Sequence, residues 1–188
     1  MAMPIDIVPT RIPDVLLITG MAVPDDRGFF SEVYSQEVWD AAGIEAGFVQ
    51  DNLSCSSRGT LRGMHYQIEP SPMGKFVRVL TGSVYDVAVD LREGSPTFGQ
   101  WVGETLSAEN RRGLWIPAGF AHGFLALEDE TQVLYKCTNF YTPEAERSLH
   151  YADPAIGIDW PAKAEHISEK DADAPALDNA EYNFVYTG

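Results

Sequence analysis

The chain has 188 residues and a mass of 20.7 kDa, enough for one domain to bury a hydrophobic core without disulfides or metals. Hydrophobic residues make up 45% and charged residues 22%, which is ordinary globular usage and excludes a disordered or collagen-like chain. Thirteen basic against 28 acidic residues give a net charge of −15, which opposes binding to nucleic acid and to anionic membranes. We therefore expect a single domain, residues 1–188, that binds neither nucleic acid nor membranes.

The first forty residues contain two apolar runs and one helix signal. Segments 5–8 and 15–19 are apolar and predict edge strands. Segment 35–42, SQEVWDAA, predicts a short helix with Ser35 as its N-cap and Gly43 as its stop. The apolar side of that helix would consist of Val38, Trp39 and Ala42.

Short strand-like runs separated by turn formers dominate the chain from residue 48 onward. Together with 16 Gly and 12 Pro, they predict an all-β sandwich or barrel rather than a helical bundle. Short helices are expected only in the acidic C-terminal part, near Ser168. The predicted strands are 48–56, 60–66, 76–80, 84–91, 100–106, 113–116, 121–127 and 133–138.

The run 84–91 alternates strictly, with Asp86 and Asp90 on one face and apolar residues on the other. A polar strand face is exposed to solvent in most proteins. In a barrel, however, the same face can line an internal pocket. The strand alone leaves both interpretations open.

The cysteines and the N-terminus indicate a cytoplasmic protein. Cys55 and Cys137 lie far apart and outside any metal-binding spacing, which indicates two buried thiols rather than a disulfide or a zinc site. The chain start lacks the charged and apolar regions of a signal peptide, and no run of about 18 apolar residues occurs.

Two of the four histidines lie in recognisable patterns, whereas His150 and His166 have polar surroundings and are expected on the surface. The spacings Gly59-x5-His65 and Pro117-x-Gly-x-x-His122 resemble the two motifs of the cupin superfamily, whose members are double-stranded β-barrels, or jelly rolls, around a ligand cavity. Metal-binding cupins carry a second histidine where this chain has Gln67. Two imidazoles alone are a poor metal site, so no metal is expected.

A longer set of motifs narrows the resemblance to the dTDP-4-dehydrorhamnose 3,5-epimerase family, over residues 24–171. The resemblance implies an isomerase that needs no cofactor and that inverts C3 and C5 of dTDP-4-dehydro-6-deoxy-glucose; the alternative is an epimerase that inverts C3 only. The motifs are DRGFFSE at 26–32, QDN at 50–52, LRGMHYQ at 61–67, Lys75, GSVYDVAVDLR at 82–92, PAGFAHGF at 117–124, YKC at 135–137 and DWP at 159–161.

Removal of a proton next to a ketone requires a base, a group that stabilises the enolate oxygen, and an acid on the opposite face. The resemblance assigns these three roles to His65, Lys75 and Tyr135. It also gives Asp171 as the carboxylate that holds His65, although either aspartate of segment 84–91 could take that place by residue type.

The resemblance further implies a set of substrate-binding residues. Its cations would bind the diphosphate, its polar groups the thymine or ribose, and its aromatic rings would pack beside the nucleotide. The set comprises Arg27, Phe30, Glu32, Gln50, Asp51, Asn52, Arg62, Lys75, His122, Tyr141, Glu146 and Lys170. The family pairs as homodimers through N-terminal strands, so a homodimer through segments 5–8 and 15–19 is also expected.

Two other classes compete with the epimerase. A metal-dependent cupin oxygenase or isomerase is disfavoured by Gln67, which replaces a metal-binding histidine. A non-catalytic barrel that only binds a sugar nucleotide is disfavoured because binding alone does not require His65, Lys75 and Tyr135 together.

Overall fold

The computed structural model describes residues 5–44 and 46–187, in which strand is the dominant regular structure. The all-β prediction is confirmed. Within the described residues, helix is confined to α1 (Gln36–Ala41), α2 (Glu169–Ala172) and a 3-10 turn at Leu177–Asn179. The strands are β1 (Ile5–Pro9), β2 (Leu16–Gly20), β3 (Ala22–Asp25), β4 (Gly28–Ser31), β5 (Gln50–Ser56), β6 (Leu61–Gln67), β7 (Lys75–Thr81), β8 (Ser83–Asp90), β9 (Trp101–Ser107), β10 (Arg112–Ile116), β11 (Phe120–Ala126), β12 (Thr131–Cys137) and β13 (Glu146–Ser148).

Two antiparallel sheets face each other as a jelly roll, as the cupin resemblance implies. One sheet has the order β1-β2-β10-β7-β12-β5, and the other has the order β13-β6-β11-β8-β9. Alternate side chains of both sheets point inward and form a shared hydrophobic core. The six-stranded sheet contributes Val77, Val79, Leu114, Ile116 and Val133, and the five-stranded sheet contributes Val84, Ala88, Val102, Leu106, Phe120 and Phe124.

The outer face of the six-stranded sheet is covered by α1 and its flanking residues. Trp39 is fully buried there, with its ring centroid 4.7 Å from Phe76 and 5.6 Å from Trp115 in edge-to-face geometry. The predicted helix is confirmed with Ser35 at its N-cap position, although the Ser35 side chain makes no cap hydrogen bond. Gly43 does end the helix, with a φ of 76° that suits glycine.

The C-terminal segment covers the outer face of the five-stranded sheet. Met64 and Val87 pack there against Leu149, Ile156 and other apolar residues of the chain beyond β13. This packing fixes α2 beside β6. A residue far along the chain is thereby brought to the strand that carries His65.

The eight predicted central strands occur as β5 to β12 with ends shifted by at most two residues. The hairpin β3–β4 and the short strand β13 were not predicted. Of the two expected buried thiols, only Cys137 is buried, because Cys55 lies on the exposed side of β5. No helix within residues 5–44 and 46–187 has the length and apolar character needed to cross a bilayer.

Candidate active site

The pairing of β6 with β11 sets His65 directly opposite His122. Two glycines allow this close pairing. Gly63 has a φ of 130°, and a Cβ there would lie 2.4 Å from the Gly123 Cα atom, so no larger residue fits. The pairing register shifts between His122 and Phe124, next to these glycines. The glycine of the Arg-Gly-Met-His motif is thus needed for strand approach.

His65 is held by the carboxylate of Asp171. Its Nε2 atom lies 2.6 Å from Asp171 Oδ1, while the Gly63 N–H donates to Oδ2 at 3.3 Å. Asp171 is only 3% exposed, within α2. Burial by itself raises the pKa of Asp171, but the interaction with His65 and the Gly63 N–H outweigh it, so the pKa lies below its ordinary value. Asp171 is therefore ionised, and its partner nitrogen carries the proton.

His122 has a carboxylate partner of its own, Asp86, with 2.8 Å between Nε2 and Oδ1. Burial lowers the pKa of His122 against the opposing effect of Asp86, so the imidazole is neutral at neutral pH. The polar face of β8 therefore points into the jelly roll and not to solvent. Asp90, at the other end of that face, accepts hydrogen bonds from Arg92, Ser95 and Thr97. Its carboxylate is not the one that holds His65.

Lys75 and Tyr135 reach the same space from the six-stranded sheet, where β7 and β12 pair. The Lys75 Nζ atom lies 3.5 Å from the main-chain oxygen of His65. Burial lowers the pKa of Lys75, with Cys137, Asp86 and other acidic groups opposing the change. Burial raises the pKa of Tyr135, so the phenol remains protonated at neutral pH.

These side chains line two adjoining cavities. The larger, of about 580 Å³, is walled by Arg62, His65, Lys75, His122, Tyr135, Lys170 and Asp171 among others. The smaller, of about 270 Å³, is walled by Gln50, Asn52, Tyr141 and Glu146, among others. His65, Lys75 and Tyr135 line both cavities, so the three residues expected to act in catalysis stand where the cavities meet.

Charged side chains link the walls of the smaller cavity to the larger one. The Tyr141 hydroxyl donates to Glu146 Oε2 at 2.9 Å, and the Lys170 Nζ atom lies 2.7 Å from the same oxygen. Burial raises the pKa of Glu146, but these two partners outweigh it and the net pKa is lowered. Arg62 is anchored at the rim of the larger cavity by a 3.0 Å hydrogen bond from its Nε to Ser56 Oγ.

Asp51 is not brought into either cavity, contrary to its expected role in substrate binding. Its carboxylate lies 2.8 Å from Lys136 Nζ on the opposite face of β5. The reason is the two-residue period of a strand, which sends Gln50 and Asn52 inward and Asp51 outward.

Arg27, Phe30 and Glu32 also lie outside the two cavities, on or beside the β3–β4 hairpin. Phe30 is 69% exposed, and Arg27 forms a salt bridge with its neighbour Asp25, at 2.6 Å. Within one chain, the hairpin therefore does not reach the other substrate-binding residues that the resemblance implies.

Several residues that line the larger cavity were not predicted from the sequence. His166, expected on the surface, is exposed but lines the larger cavity, because its backbone pairs with the start of β6. Ser54 and Glu165 line it as well. The proximity of His166 to Asp171 in sequence is a signal that could have identified it. Within residues 5–44 and 46–187, no cluster of three or more His, Cys, Asp or Glu side chains is placed to hold a metal ion.

A cupin-type jelly roll whose cavity holds a histidine–aspartate pair, a half-buried lysine and a protonated tyrosine belongs to the acid–base enzymes built on this fold. Comparison with known proteins narrows the class. Residues 9–179 match the family model described as dTDP-4-dehydrorhamnose 3,5-epimerase. The chain therefore belongs to the dTDP-4-dehydrorhamnose 3,5-epimerase family, whose members are isomerases, as its motifs indicated.

Individual relatives agree over nearly the full length. The curated dTDP-4-dehydrorhamnose 3,5-epimerase of Pseudomonas aeruginosa is 55% identical over 172 residues, which cover 90% of this chain and 94% of that protein. The crystal structure of a dTDP-6-deoxy-D-glucose-3,5-epimerase from Legionella pneumophila, in complex with dTDP-4-keto-L-rhamnose, is 49% identical with a TM-score of 0.90, and covers 94% of each chain. A 3'-monoepimerase from Streptomyces bikiniensis, in complex with dTDP-quinovose, is 34% identical with a TM-score of 0.85, covering 91% of this chain and 87% of that one.

Proposed function

We propose that this protein epimerises dTDP-4-dehydro-6-deoxy-D-glucose at C3 and C5, as its family name states, without a cofactor. The observation that carries the proposal is the convergence of His65, Lys75 and Tyr135 at the junction of two cavities. A sugar nucleotide has two parts of different chemistry, and two adjoining cavities suit a ligand of that kind.

His65 is the proposed base. Because a carboxylate only accepts hydrogen bonds, the 2.6 Å contact with Asp171 assigns the proton to Nε2 and leaves Nδ1 to accept one from the substrate. The ionised Asp171 then stabilises the imidazolium that forms when His65 takes a proton from the carbon beside the ketone. That C–H bond breaks, and its electron pair moves toward the C4 oxygen.

Lys75 and Tyr135 are proposed to complete the reaction. The ammonium of Lys75 stabilises the enolate oxygen, an effect that is large inside a cavity partly shielded from water. The protonated phenol of Tyr135 returns a proton to the opposite face of the same carbon, which inverts it. The proposed proton transfers use the side chains of His65, Lys75 and Tyr135, and none of them requires a metal or a cofactor.

The nucleotide is proposed to extend along Tyr141 and Glu146, with Arg62 and Lys170 available to its diphosphate. The hairpin residues Arg27, Phe30 and Glu32 belong to this set only if a second copy of the chain supplies them. We therefore propose a homodimer in which the β3–β4 hairpin of one protomer completes the partner's cavity. The exposure of Phe29 (63%) and Phe30 (69%) supports an interface at this hairpin.

Residues 1–188 are proposed to act as one domain located in the cytoplasm. The sheets share one core, and both cysteines are free, which is consistent with a reducing compartment.

Deuterium exchange tests the proposed reaction directly. The purified protein is incubated with the 4-keto sugar nucleotide in D₂O, and deuterium at C3 and C5 is followed by NMR. We expect exchange at both carbons. No exchange at either carbon would reject an epimerase of any kind.

A second candidate, inversion at C3 only, is favoured by one observation. The Streptomyces bikiniensis 3'-monoepimerase has the same fold over 91% of this chain. Deuterium at C3 without deuterium at C5 would establish this candidate in place of the first.

A further inference from the structure

Gln67 occupies the position at which metal-binding cupins carry a histidine, yet its amide bonds only to backbone. The side chain is 4% exposed. Its Nε2 donates to Ser71 O at 2.8 Å and to Phe140 O at 3.2 Å, and its Oε1 accepts from the Thr142 N–H at 2.8 Å. Both N–H groups and the oxygen are therefore engaged, so the amide has a fixed orientation and no free N–H for a ligand.

A second glutamine, Gln50, holds Tyr141, which lies between Phe140 and Thr142. Gln50 Oε1 accepts from the Tyr141 N–H at 3.1 Å, and Gln50 Nε2 donates to Asn52 Oδ1 at 3.1 Å. Two glutamine side chains thus bind three successive residues of the 140–142 loop. A loop held by three side-chain hydrogen bonds loses much of the conformational freedom that an exposed loop normally has.

The residue at the centre of this loop is exposed but held at both ends. Tyr141 is 53% exposed, its backbone N–H is bound by Gln50, and its hydroxyl donates to Glu146. An aromatic ring at the rim of a cavity, fixed before the ligand arrives, loses little entropy on binding a flat ligand. Such an arrangement benefits nucleotide affinity rather than the stability of the free protein.

We propose that Gln67 is a positioning residue that acts through Tyr141: it fixes the 140–142 loop so that the Tyr141 ring is preorganised to receive the nucleoside of the substrate. The inference rests on the proposed function, because it requires a nucleotide ligand. It predicts that the nucleotide affinity, and not the rate of proton transfer at His65, depends on Gln67.

Isothermal titration with dTDP, together with steady-state kinetics, tests the proposal on Gln67→Met, which keeps the side-chain volume but removes all three hydrogen bonds. We expect the Kd for dTDP and the KM each to rise roughly tenfold, with kcat changed less than about twofold. Gln67→Glu retains one acceptor but sets an oxygen against two carbonyl groups, and it should also weaken dTDP binding. Gln67→Glu replaces Gln67→Met in these measurements if thermal melting shows that Gln67→Met does not fold.

A double-mutant cycle with Tyr141→Ala separates positioning of Tyr141 from a general structural role. If Gln67 acts through Tyr141, Gln67→Met in the Tyr141→Ala background leaves the Kd for dTDP unchanged. The matched control is Asn183→Ala, which removes a comparable side-chain brace on Glu69 outside the loop and should leave that Kd within about twofold.

Two results would overturn the inference: an unchanged dTDP affinity in both Gln67 variants, or an equal loss of affinity with and without the Tyr141 ring. A wild-type protein that binds dTDP but exchanges no deuterium would instead reject the proposed function and leave this test valid.

Discussion

The Nε2 atom of His65 lies 2.6 Å from the Asp171 carboxylate, although 106 positions separate the two residues in the chain. One residue is on β6 and the other in a four-residue helix that packs against that strand. The contact fixes which imidazole nitrogen is free, and therefore where the reacting carbon must lie.

Replacing the two proton carriers should give different results. We expect His65→Ala to abolish deuterium exchange, lowering kcat by roughly 10³-fold or more, because the base is gone, with dTDP affinity nearly unchanged. Tyr135→Phe should slow product formation more than exchange, since His65 still removes the proton. Equal loss of both rates in Tyr135→Phe would contradict the assignment of separate roles.

Asp171→Asn keeps the shape of the side chain but removes its charge. We expect kcat to fall by roughly 10²-fold, because the imidazolium loses its counter-charge. The lowered pKa of Asp171 also stabilises the fold at pH values above its ordinary pKa of 3.8, and that stabilisation is lost as the pH falls through the folded-state value. Urea unfolding between about pH 5 and pH 2 should therefore show the stability difference between wild type and variant shrinking as the pH falls. A difference independent of pH would argue against an ionised Asp171.

The lowered pKa of Lys75 should limit the activity at alkaline pH. As the pH rises, the ammonium deprotonates below its ordinary pKa of 10.5 and the enolate loses its stabiliser. The profile of kcat against pH should therefore fall before that value. Lys75→Arg, whose guanidinium stays protonated, should shift the fall to higher pH even if the rate is lower. An unshifted alkaline limb in this variant would assign it to another group.

Mixed dimers test whether the β3–β4 hairpin acts on the partner's cavity. His65→Ala keeps an intact hairpin, and a double variant, Arg27→Ala with Phe30→Ala, keeps an intact His65. If the hairpin acts in trans, one of the two sites in each mixed dimer is complete. Random co-assembly should then restore roughly a quarter of wild-type activity, because half the dimers are mixed. If co-expression restores no activity above the sum of the two separate variants, the hairpin does not act in trans.

Gly63→Ala should be strongly destabilising. The new Cβ would lie 2.4 Å from Gly123 Cα, and the φ of 130° is strained for alanine, so we expect a loss of roughly 3 kcal/mol or more. The control is Gly94→Ala, where φ is 81° but no atom lies within 4 Å, and the expected loss is about 1 kcal/mol. Urea unfolding measures both, and similar losses would show that the contact between the strands is unimportant.

The sequence alone predicted most of the jelly roll because its signals there are local. Alternation and turn residues fixed the eight central strands to within two residues. The β3–β4 hairpin was missed, because only a few residues form each of its strands and its apolar residues are exposed. Ser35 takes the predicted N-cap position without a side-chain hydrogen bond, because residue type permits that bond but does not require it.

The roles expected for His65, Lys75 and Tyr135 came from the family resemblance, which is carried by motifs that are contiguous or nearly so. The packing of the C-terminal segment decided that Asp171 is the carboxylate that holds His65. The pairing of the sheets decided that the polar face of β8 is internal and not exposed to solvent. For the same reason, local pattern did not predict that Asp51 lies on the outer face of β5 or that the hairpin residues lie away from the cavities of their own chain. A strand's period gives two faces, but only long-range contacts decide which face meets the cavity.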